Sequence, residues 1–382
     1  MRLTLYGGFA EKGRTCIGVE TGGYRLLLDA GVKTSSPGRD YYPAISAAAL
    51  RATDAIIITH AHEDHVGALG WCIAGGFHGR IFITPESWRE VPQCLMDYGE
   101  PAHVELVRRY AIEHLPMGER ALQLGPLQVS TGRSGHVAGG LWCMIDDGGV
   151  RFHYCGDTVP ASRIFAVDPV PASDAIAIDA SYGDDDVRAT DRAAQIERWI
   201  AGQPRGCVLP TPLYGRSAEL LAIVPGPVAL APGMRKALRT QIDDGGWLRA
   251  REAAVLAARL DAATDWREGT SLPAAALLCH DGMGMAGPAR AIVAAARTEA
   301  HPTLFTGHLP TGSPGEQMVA EGRADWLRLP THPTLAENQA MIASSGARMV
   351  LGHSCDPPVL ARLHRHLPTL RVDLATGDSV DL

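Results

Sequence analysis

The chain has no excess of positive charge. Its 382 residues include 35 Lys and Arg against 42 Asp and Glu, which gives a formal net charge of −7. No run of basic residues is long enough to act as a nucleic-acid-binding arm. A broad basic surface is therefore excluded as a means of holding RNA or DNA. Any nucleic-acid binding must rest on a local cleft in which metal ions face the phosphates.

The chain also has no C-x-x-C pair and no long apolar run. Its eight cysteines are widely spread, as expected for reduced, buried residues of a cytosolic protein: Cys16, Cys72, Cys94, Cys143, Cys155, Cys207, Cys279 and Cys355. The N-terminus leads straight into a predicted strand without the pattern of a signal peptide, and no apolar stretch could span a membrane. We therefore expect a cytoplasmic protein with no membrane partner.

The rest of the composition is that of an ordinary globular protein. Apolar residues make up 46% of the chain and charged residues 20%, and 382 residues are enough for one large domain or two. The 42 glycines and 26 prolines are scattered between apolar segments. This distribution favours many short strands and tight loops over disorder.

The most informative stretch is the motif T-H-A-H-E-D-H-V-G at residues 59–67. The apolar run Ala55–Ile58 before it predicts a buried strand, so the polar residues begin where that strand ends. Such strand ends are where α/β proteins carry their chemistry. The motif supplies three imidazoles and a carboxylate, a set suited to divalent cations such as Zn²⁺: His60, His62, Asp64 and His65.

These four residues are too closely spaced for one ion to use them all. His60 and His62 can converge on one cation from an extended turn, while Asp64 and His65 point elsewhere and could hold a second cation close by. A two-metal hydrolase site is therefore the working hypothesis. The alternative is a loop of surface histidines that picks up metal only casually.

Three more polar residues stand at predicted strand ends. Asp29 ends the strand Tyr24–Asp29, where it either orients a metal-binding histidine or simply forms a turn before glycine. His136 lies in a glycine-rich turn, and Asp157 follows the predicted strand Arg151–Cys155. A carboxylate can bridge two cations, so His136 and Asp157 would complement the first motif.

The order of these motifs resembles that of the metallo-β-lactamase fold: Asp29, the H-x-H-x-D-H run, His136 in Gly-His and Asp157 in Gly-Asp-Thr. The resemblance implies an α/β fold, a βαβα sandwich whose metals lie at one edge of two facing sheets. It also implies that His60, His62 and His136 bind one metal and that Asp64, His65 and Asp157 bind a second.

Later segments narrow the resemblance to the β-CASP subgroup, which includes ribonuclease J and the mRNA 3′-end-processing endonucleases. The matching segments lie at residues 175–184, 208–220, 283–290 and 304–308. Between Ala189 and about Arg328, helices and strands alternate, as in an α/β unit with a parallel sheet. We expect metallo-β-lactamase parts at 1–188 and 329–382 with an inserted β-CASP-like cassette at 189–328. Pro43–Arg51 and the alanine-rich Trp247–Leu260 are predicted to be helical.

The segment Leu329–Pro333 occupies the place of the subgroup's Ser-x-His-Ala-Asp motif. It keeps the histidine, His332, but Pro333 and Thr334 replace Ala-Asp, which leaves the geometry of this turn open. The resemblance implies that Asp179 pairs with His332 near the leaving group.

The predicted strand Met349–Ser354 matches the subgroup's last histidine segment. The resemblance implies that His353 completes the second metal site. Seven other histidines have no partner pattern and receive no role: His78, His103, His114, His153, His301, His364 and His366. His280 and His308 fall in loops of the cassette that could face the cleft, but a surface or core position is the favoured interpretation for both.

The resulting hypothesis is a metal-dependent phosphodiesterase that cleaves RNA or single-stranded DNA with two divalent ions, Zn²⁺ or Mn²⁺. The residues expected to carry the chemistry are Asp64, Asp179 and His332. One alternative is a hydrolase of lactones, thioesters or small phosphodiesters, which the acidic charge favours; another is a scaffold without catalysis, which the intact ligand set disfavours. The cassette suits a strand threaded beneath it and so favours the nuclease. A homodimer is left open.

Overall fold

The structure is a computed structural model that describes residues 1–115 and 121–382. The chain divides into two compact units. The first comprises Met1–Pro160, Val167–Asp186 and His332–Leu382, and the second comprises Ala161–Ala166 and Val187–Thr331.

The N-terminal part of the first unit consists of runs of strands that are interrupted by helices. Its strands are β1 (Arg2–Gly7), β2 (Cys16–Thr21), β3 (Tyr24–Leu28), β4 (Ala55–Ile57), β5 (Arg80–Ile83), β6 (Ile112–His114), β7 (Leu122–Leu124), β8 (Leu127–Arg133), β9 (Leu141–Asp146), β10 (Arg151–Tyr154) and β11 (Ala175–Asp179). Its helices are α1 (Ala47–Arg51), α2 (Glu63–Val66), α3 (Leu69–Ala74), α4 (Pro85–Tyr98) and α5 (Pro101–Arg109), with a 3₁₀ turn at Gly38–Tyr41.

The second unit follows, and then the chain returns to the first. The elements of the second unit are α6 (Ala189–Ala201), β12 (Cys207–Pro210), α7 (Arg216–Ile223), β13 (Val228–Leu230), α8 (Met234–Asp243), α9 (Glu252–Ala262), β14 (Thr264–Asp265), β15 (Ala276–Cys279), α10 (Gly287–Glu299), β16 (Leu304–Phe305), α11 (Pro314–Ala320) and β17 (Asp325–Trp326), with a 3₁₀ turn at Gly245–Trp247. The closing elements are α12 (Leu335–Ser345), β18 (Met349–His353), α13 (Pro357–His364) and β19 (Ser379–Asp381).

Two sheets build the first unit. One has the order β19-β1-β2-β3-β4-β5-β6 and the other β18-β11-β10-β9-β8-β7. Strands β3 to β6 pair in parallel in the first sheet, and β10, β11 and β18 pair in parallel in the second. The second unit contains a four-stranded parallel sheet, β12-β15-β13-β14. The predicted α/β class, with sheets covered by helices, is confirmed.

Each sheet of the first unit is covered by its own helices. Leu69 of α3, Val91 of α4 and Val104 of α5 belong to one buried cluster with residues of β4 and β5. Leu335 of α12 and Leu360 of α13 belong to another cluster with residues of β11 and β18. Burial of these apolar faces holds the helices on the sheets.

Two helices begin later than predicted. The first, α1, begins at Ala47 rather than Pro43, because the Ser46 side chain caps it by accepting a hydrogen bond from the Ala49 amide. The other, α9, begins at Glu252 rather than Trp247, since Arg251 adopts φ +77° and Leu248 is extended.

A third difference concerns the boundary between the two units. Residues Ala161–Ala166, predicted within the first domain, group with the second unit. Phe165 forms a bridge with Leu248, and the Ala166 amide donates to the Trp247 carbonyl at 2.9 Å. These backbone contacts tie the short segment to the α8–α9 region.

Within residues 1–115 and 121–382, no helix has the length and apolar character needed to cross a lipid bilayer.

Gly31 allows two segments of the first unit to lie in direct contact. The amides of Thr15 and Val32 donate to the carbonyls of Asp64 and Glu63, both at 2.9 Å. A Cβ atom on Gly31 would lie 1.7 Å from the Asp64 carbonyl oxygen. A glycine at position 31 therefore lets α2 pack directly against this segment, which fixes the position of α2 and of residues 59–62 before it.

We expect Gly31→Ala to lower the free energy of unfolding by about 1–3 kcal/mol, because the added methyl group must displace the Asp64 carbonyl. Urea denaturation of the purified variant measures this change. Gly149→Ala is the matched control, since a Cβ there would meet only Asp147 Oδ1, at 3.6 Å, and should change stability by less than about 1 kcal/mol. Equal unfolding midpoints for the two variants would contradict the proposed role of Gly31.

Candidate metal centre

The candidate residues stand mostly at the carboxyl ends of strands in the first unit. Parallel neighbours in a sheet bring such ends to the same edge, where α/β proteins place their ligands. Six follow or end a strand: Asp29 after β3, His60 and His62 after β4, Asp157 after β10, Asp179 at the end of β11 and His353 at the end of β18. The other ligand candidates lie in α2 (Asp64 and His65), in the β8–β9 loop (His136) and before α12 (His332).

Asp29 is completely buried and accepts hydrogen bonds from three segments. Its Oδ1 accepts from the Thr59 amide at 2.7 Å, and its Oδ2 accepts from the Thr59 hydroxyl at 2.8 Å. Oδ2 also accepts from His65 Nδ1 at 2.8 Å and from the Tyr154 hydroxyl at 2.6 Å. The residue has φ +62°, so it both turns the chain and orients His65. The sequence left open whether Asp29 orients a histidine or forms a turn, and in the structure it does both.

A first ligand group combines three histidines with one carboxylate. One ligand atom from each lies within 4.8 Å of the others: His60, His62, His136 and Asp157. His136 Nε2 lies 3.0 Å from His62 Nδ1, and it lies 3.6 Å from Asp157 Oδ2. His60 Nε2 lies 3.8 Å from the same oxygen. The structure therefore brings together the three histidines predicted for the first metal.

The chemistry of this group fits a divalent cation. His60 Nε2 is buried and has no hydrogen-bond partner among the described residues, and buried polar atoms are rarely left in this state. Burial lowers the pKa of His60 well below its usual value and lowers the pKa of His136 to about 4. Neutral imidazoles offer the lone pairs that Zn²⁺ and similar ions bind.

Asp157 lies close to residues of both predicted ligand sets. Burial works to raise its pKa, but the neighbouring His65 and His332 outweigh burial and hold the pKa well below the usual range. Its Oδ1 lies 3.1 Å from His65 Nε2, whereas its Oδ2 lies 3.6 Å from His332 Nδ1. An ionised carboxylate in this position can contact cations on two sides.

A second group joins Asp157 with Asp179 and His332. His332 Nδ1 donates to Asp179 Oδ2 at 2.7 Å, and the Ser181 amide donates to Asp179 Oδ1 at 3.0 Å. Burial works to raise the pKa of Asp179, but His332 outweighs it and lowers the pKa. The carboxylate therefore stays ionised and fixes the orientation of the His332 ring.

The remaining candidates for the second metal are less closely grouped. His65 Nε2 lies 3.9 Å from Asp64 Oδ2 as well as 3.1 Å from Asp157. His353 Nε2 instead donates to the Gly156 carbonyl at 3.1 Å, and its ring centre lies 6.3 Å from that of His65. His353 thus lies outside both ligand groups in the described part of the chain, and its assignment to the second metal stays a prediction.

Several positioning residues were not identified from the sequence. Thr59 and Tyr154 hold Asp29, and the Tyr182 ring lies edge-on to the His332 ring with centres 5.0 Å apart. Tyr154 and Tyr182 stand beside sequence motifs, in Tyr-Cys-Gly-Asp and Ser-Tyr-Gly-Asp respectively. Nothing in those patterns says which way an aromatic side chain points, so only the folded chain identifies their partners.

Comparison with known proteins gives relatives at 26–28% identity. The chain is 28% identical to the transcription termination factor FttA of Methanothermobacter thermautotrophicus, over 58% of this chain and 39% of that protein. It is 26% identical to the cleavage and polyadenylation specificity factor 73 of Drosophila melanogaster, over 59% of this chain and 35% of that protein. It is 28% identical to ribonuclease TTHA0252 of Thermus thermophilus, over 48% of this chain and 44% of that protein. These relatives confirm the resemblance to the β-CASP subgroup, and the chain spans less than half of their lengths.

One solved structure has the same fold along the whole chain. It is a protein of unknown function from Enterococcus faecalis, which covers 100% of this chain with a TM-score of 0.64 and 12% identity. The family model described as the metallo-beta-lactamase superfamily matches residues 11–201, half of the chain. This match includes His60, His62, His136 and Asp157. The chain belongs to the metallo-β-lactamase superfamily.

Proposed function

We propose that this protein is a metal-dependent phosphodiesterase that cleaves RNA. The observation that carries the proposal is Asp157, an ionised carboxylate within 4 Å of His60, His136, His65 and His332. Relatives named as a ribonuclease and as a cleavage and polyadenylation specificity factor support RNA as the substrate. Single-stranded DNA is the second nucleic acid to test.

Divalent cations bound at this centre would lower the pKa of a water molecule and offset the charge that develops on the phosphoryl oxygens. His60, His62, His136 and Asp157 would hold one of them. We assign Asp64, His65, Asp157 and His353 to the second, with Asp64 facing the reacting groups because its side chain is 31% exposed. Three imidazoles in one ligand set favour Zn²⁺, with Mn²⁺ as the alternative.

His332 is the proposed proton donor to the departing oxygen. Its Nδ1 is engaged by Asp179, so Nε2 is the atom that would carry the transferable proton. The His332 side chain is 18% exposed whereas Asp179 is fully buried, so the histidine can meet a substrate while the carboxylate only orients it. An imidazole titrates near neutral pH and is therefore suited to this transfer.

A hydrolase of small esters or phosphodiesters is the second candidate. The net charge of −7 favours it, because a long polyanionic substrate is repelled by an acidic surface. A cytoplasmic location and a homodimer also remain proposals.

The first prediction from the proposed function concerns cleavage of end-labelled single-stranded RNA and DNA in the presence of Zn²⁺ or Mn²⁺. We expect metal-dependent products from the wild-type chain and at least about a 100-fold loss of rate in Asp157→Asn, which keeps the side-chain shape but removes the charge. Asp381→Asn is the control, since that carboxylate is 76% exposed and lies on β19, the edge strand of its sheet, which is separated from β4 by three strands.

The outcomes of this assay separate the candidates. Product lengths distinguish cleavage within the strand from cleavage at an end. Full activity of Asp157→Asn would refute the two-metal arrangement. If neither nucleic acid is cleaved while metal stays bound, and a lactone, thioester or small phosphodiester is hydrolysed instead, the second candidate replaces the first.

The second prediction separates proton donation by His332 from metal binding. We expect His332→Ala to retain the metal content of the wild type, measured by inductively coupled plasma mass spectrometry. It should slow RNA cleavage by about 10²–10⁴-fold. With bis(p-nitrophenyl) phosphate the loss should be much smaller, because p-nitrophenolate leaves without needing a proton. Loss of one metal equivalent, or equal losses on the two substrates, would show that His332 acts as a ligand or in binding instead.

A further inference from the structure

An open hollow lies at the carboxyl ends of two parallel strands in the second unit. Leu230 ends β13 and Asp265 ends β14, and the two residues pair in register. Residues 230–233, side chains of α8 and the ring of Trp266 line the hollow, whose volume is about 500 Å³. The carboxyl ends of parallel strands are where α/β units place their ligands.

Two of the three cations in this hollow are paired with carboxylates. Arg235 Nε donates to Asp265 Oδ1 at 2.8 Å, and the same guanidinium donates to two backbone carbonyls at 2.6 and 2.7 Å. Arg239 donates to Asp261. These two pairs leave no net charge, and they hold α8 against the end of β14 and the last turn of α9.

The third cation, Lys236, is not balanced by a carboxylate. Its side chain is exposed and makes no hydrogen bond or ion pair within residues 1–115 and 121–382. Three cations against two carboxylates leave one positive charge here, whereas the whole chain has a net charge of −7. The hollow therefore attracts anions that most of the surface repels.

Trp266 gives the hollow an aromatic wall. Its amide donates to the Leu230 carbonyl at 2.9 Å, and its indole Nε1 donates to the Ser271 carbonyl at 3.1 Å. These bonds fix the residue at the end of β14, while part of its surface stays exposed. An indole that is already fixed loses little conformational freedom when a flat ring stacks on it, and every nucleobase has a face suited to such stacking.

We propose that this hollow binds one nucleotide of a single-stranded RNA, with the base stacked on Trp266 and a phosphate at Lys236. An inorganic anion would make no use of the indole, and an uncharged ring would make no use of the ammonium group. The open shape suits a segment of a longer strand that passes through it. The contact rests on RNA as the substrate of the proposed function, and it adds binding that needs no metal ion.

The first test measures binding of two probes to the full chain by fluorescence anisotropy, with EDTA present to prevent cleavage. One probe is a labelled oligouridylate, and the other is an abasic oligomer with the same number of phosphates. We expect Trp266→Ala to weaken oligouridylate binding at least about 5-fold and to leave binding of the abasic oligomer unchanged. Trp266→Phe keeps an aromatic ring and should retain most of the affinity.

The second test removes the charge. Lys236→Gln should weaken binding of both probes, because the phosphate contact does not depend on the base. It should also lower the slope of log affinity against log salt concentration by about 0.7, as expected for one phosphate contact on a single strand. Arg198→Gln is the matched control, since it removes an exposed positive charge of α6 outside the hollow and should change neither quantity.

Three results would overturn the proposed contact: unchanged oligouridylate binding in Trp266→Ala, equal weakening of the two probes in that variant, or a wild-type salt slope in Lys236→Gln. The exposed Lys236 position keeps the test decisive if Trp266→Ala does not fold. RNA cleavage by a wild type whose binding is insensitive to both variants would refute this contact alone. The expected binding changes without any metal-dependent cleavage of RNA would refute the proposed nuclease activity and leave the contact standing.

Discussion

A single buried carboxylate, Asp29, positions the metal centre. Its hydrogen-bond donors come from three places: the turn after β4, the helix α2 and the strand β10. Each donor is itself a ligand candidate or lies close to one along the chain, since Thr59 precedes His60, and Tyr154 stands three residues before Asp157. Burial, together with the nearby Asp29, raises the pKa of Tyr154 well above its usual value, so the phenol stays protonated as a donor. Loss of Asp29 would leave all these donors buried without an acceptor.

The ligand groups themselves are under-satisfied without a cation. His60 Nε2 has no hydrogen-bond partner in the part of the chain that the structure describes, although the residue is buried. Such an arrangement is unfavourable in a folded chain unless a ligand supplies the missing interactions. The backbone contacts of Gly31 and the hydrogen bonds of Asp29 fix α2 and the turn after β4, which carry four of the ligand candidates. Such supporting contacts orient the ligands of a catalytic metal site.

The sequence predicted the first ligand group because that group depends on strand ends. An apolar run followed by His60 and His62, together with Asp157 after another strand, places each ligand at the carboxyl end of a strand. Strands β4 and β10 belong to different sheets, so the packing of the two sheets brings these ends together. His136 followed from the resemblance, since a lone histidine in a glycine turn carries little information. The helix bounds depended on local conformations, such as the positive φ of Arg251, that no pattern reveals.

Side-chain direction was the part that the sequence could not supply. His353 ends β18 opposite Asp179, as its register requires, yet its ring bonds the Gly156 carbonyl. His153 had no partner pattern because its surroundings combine Trp142 of β9, the loop after β10 and residues of α12, which lies much farther along the chain. Such contacts follow from tertiary packing, and a histidine inside a strand is otherwise indistinguishable from a core residue.

Anomalous X-ray diffraction from crystals grown with Zn²⁺ shows whether Asp157 binds two cations. Two anomalous peaks are expected roughly 3.5–4 Å apart, one on each side of Asp157. One of them should be bound by His60, His62 and His136. A single peak, or peaks that do not contact Asp157, would contradict a two-metal centre at this carboxylate.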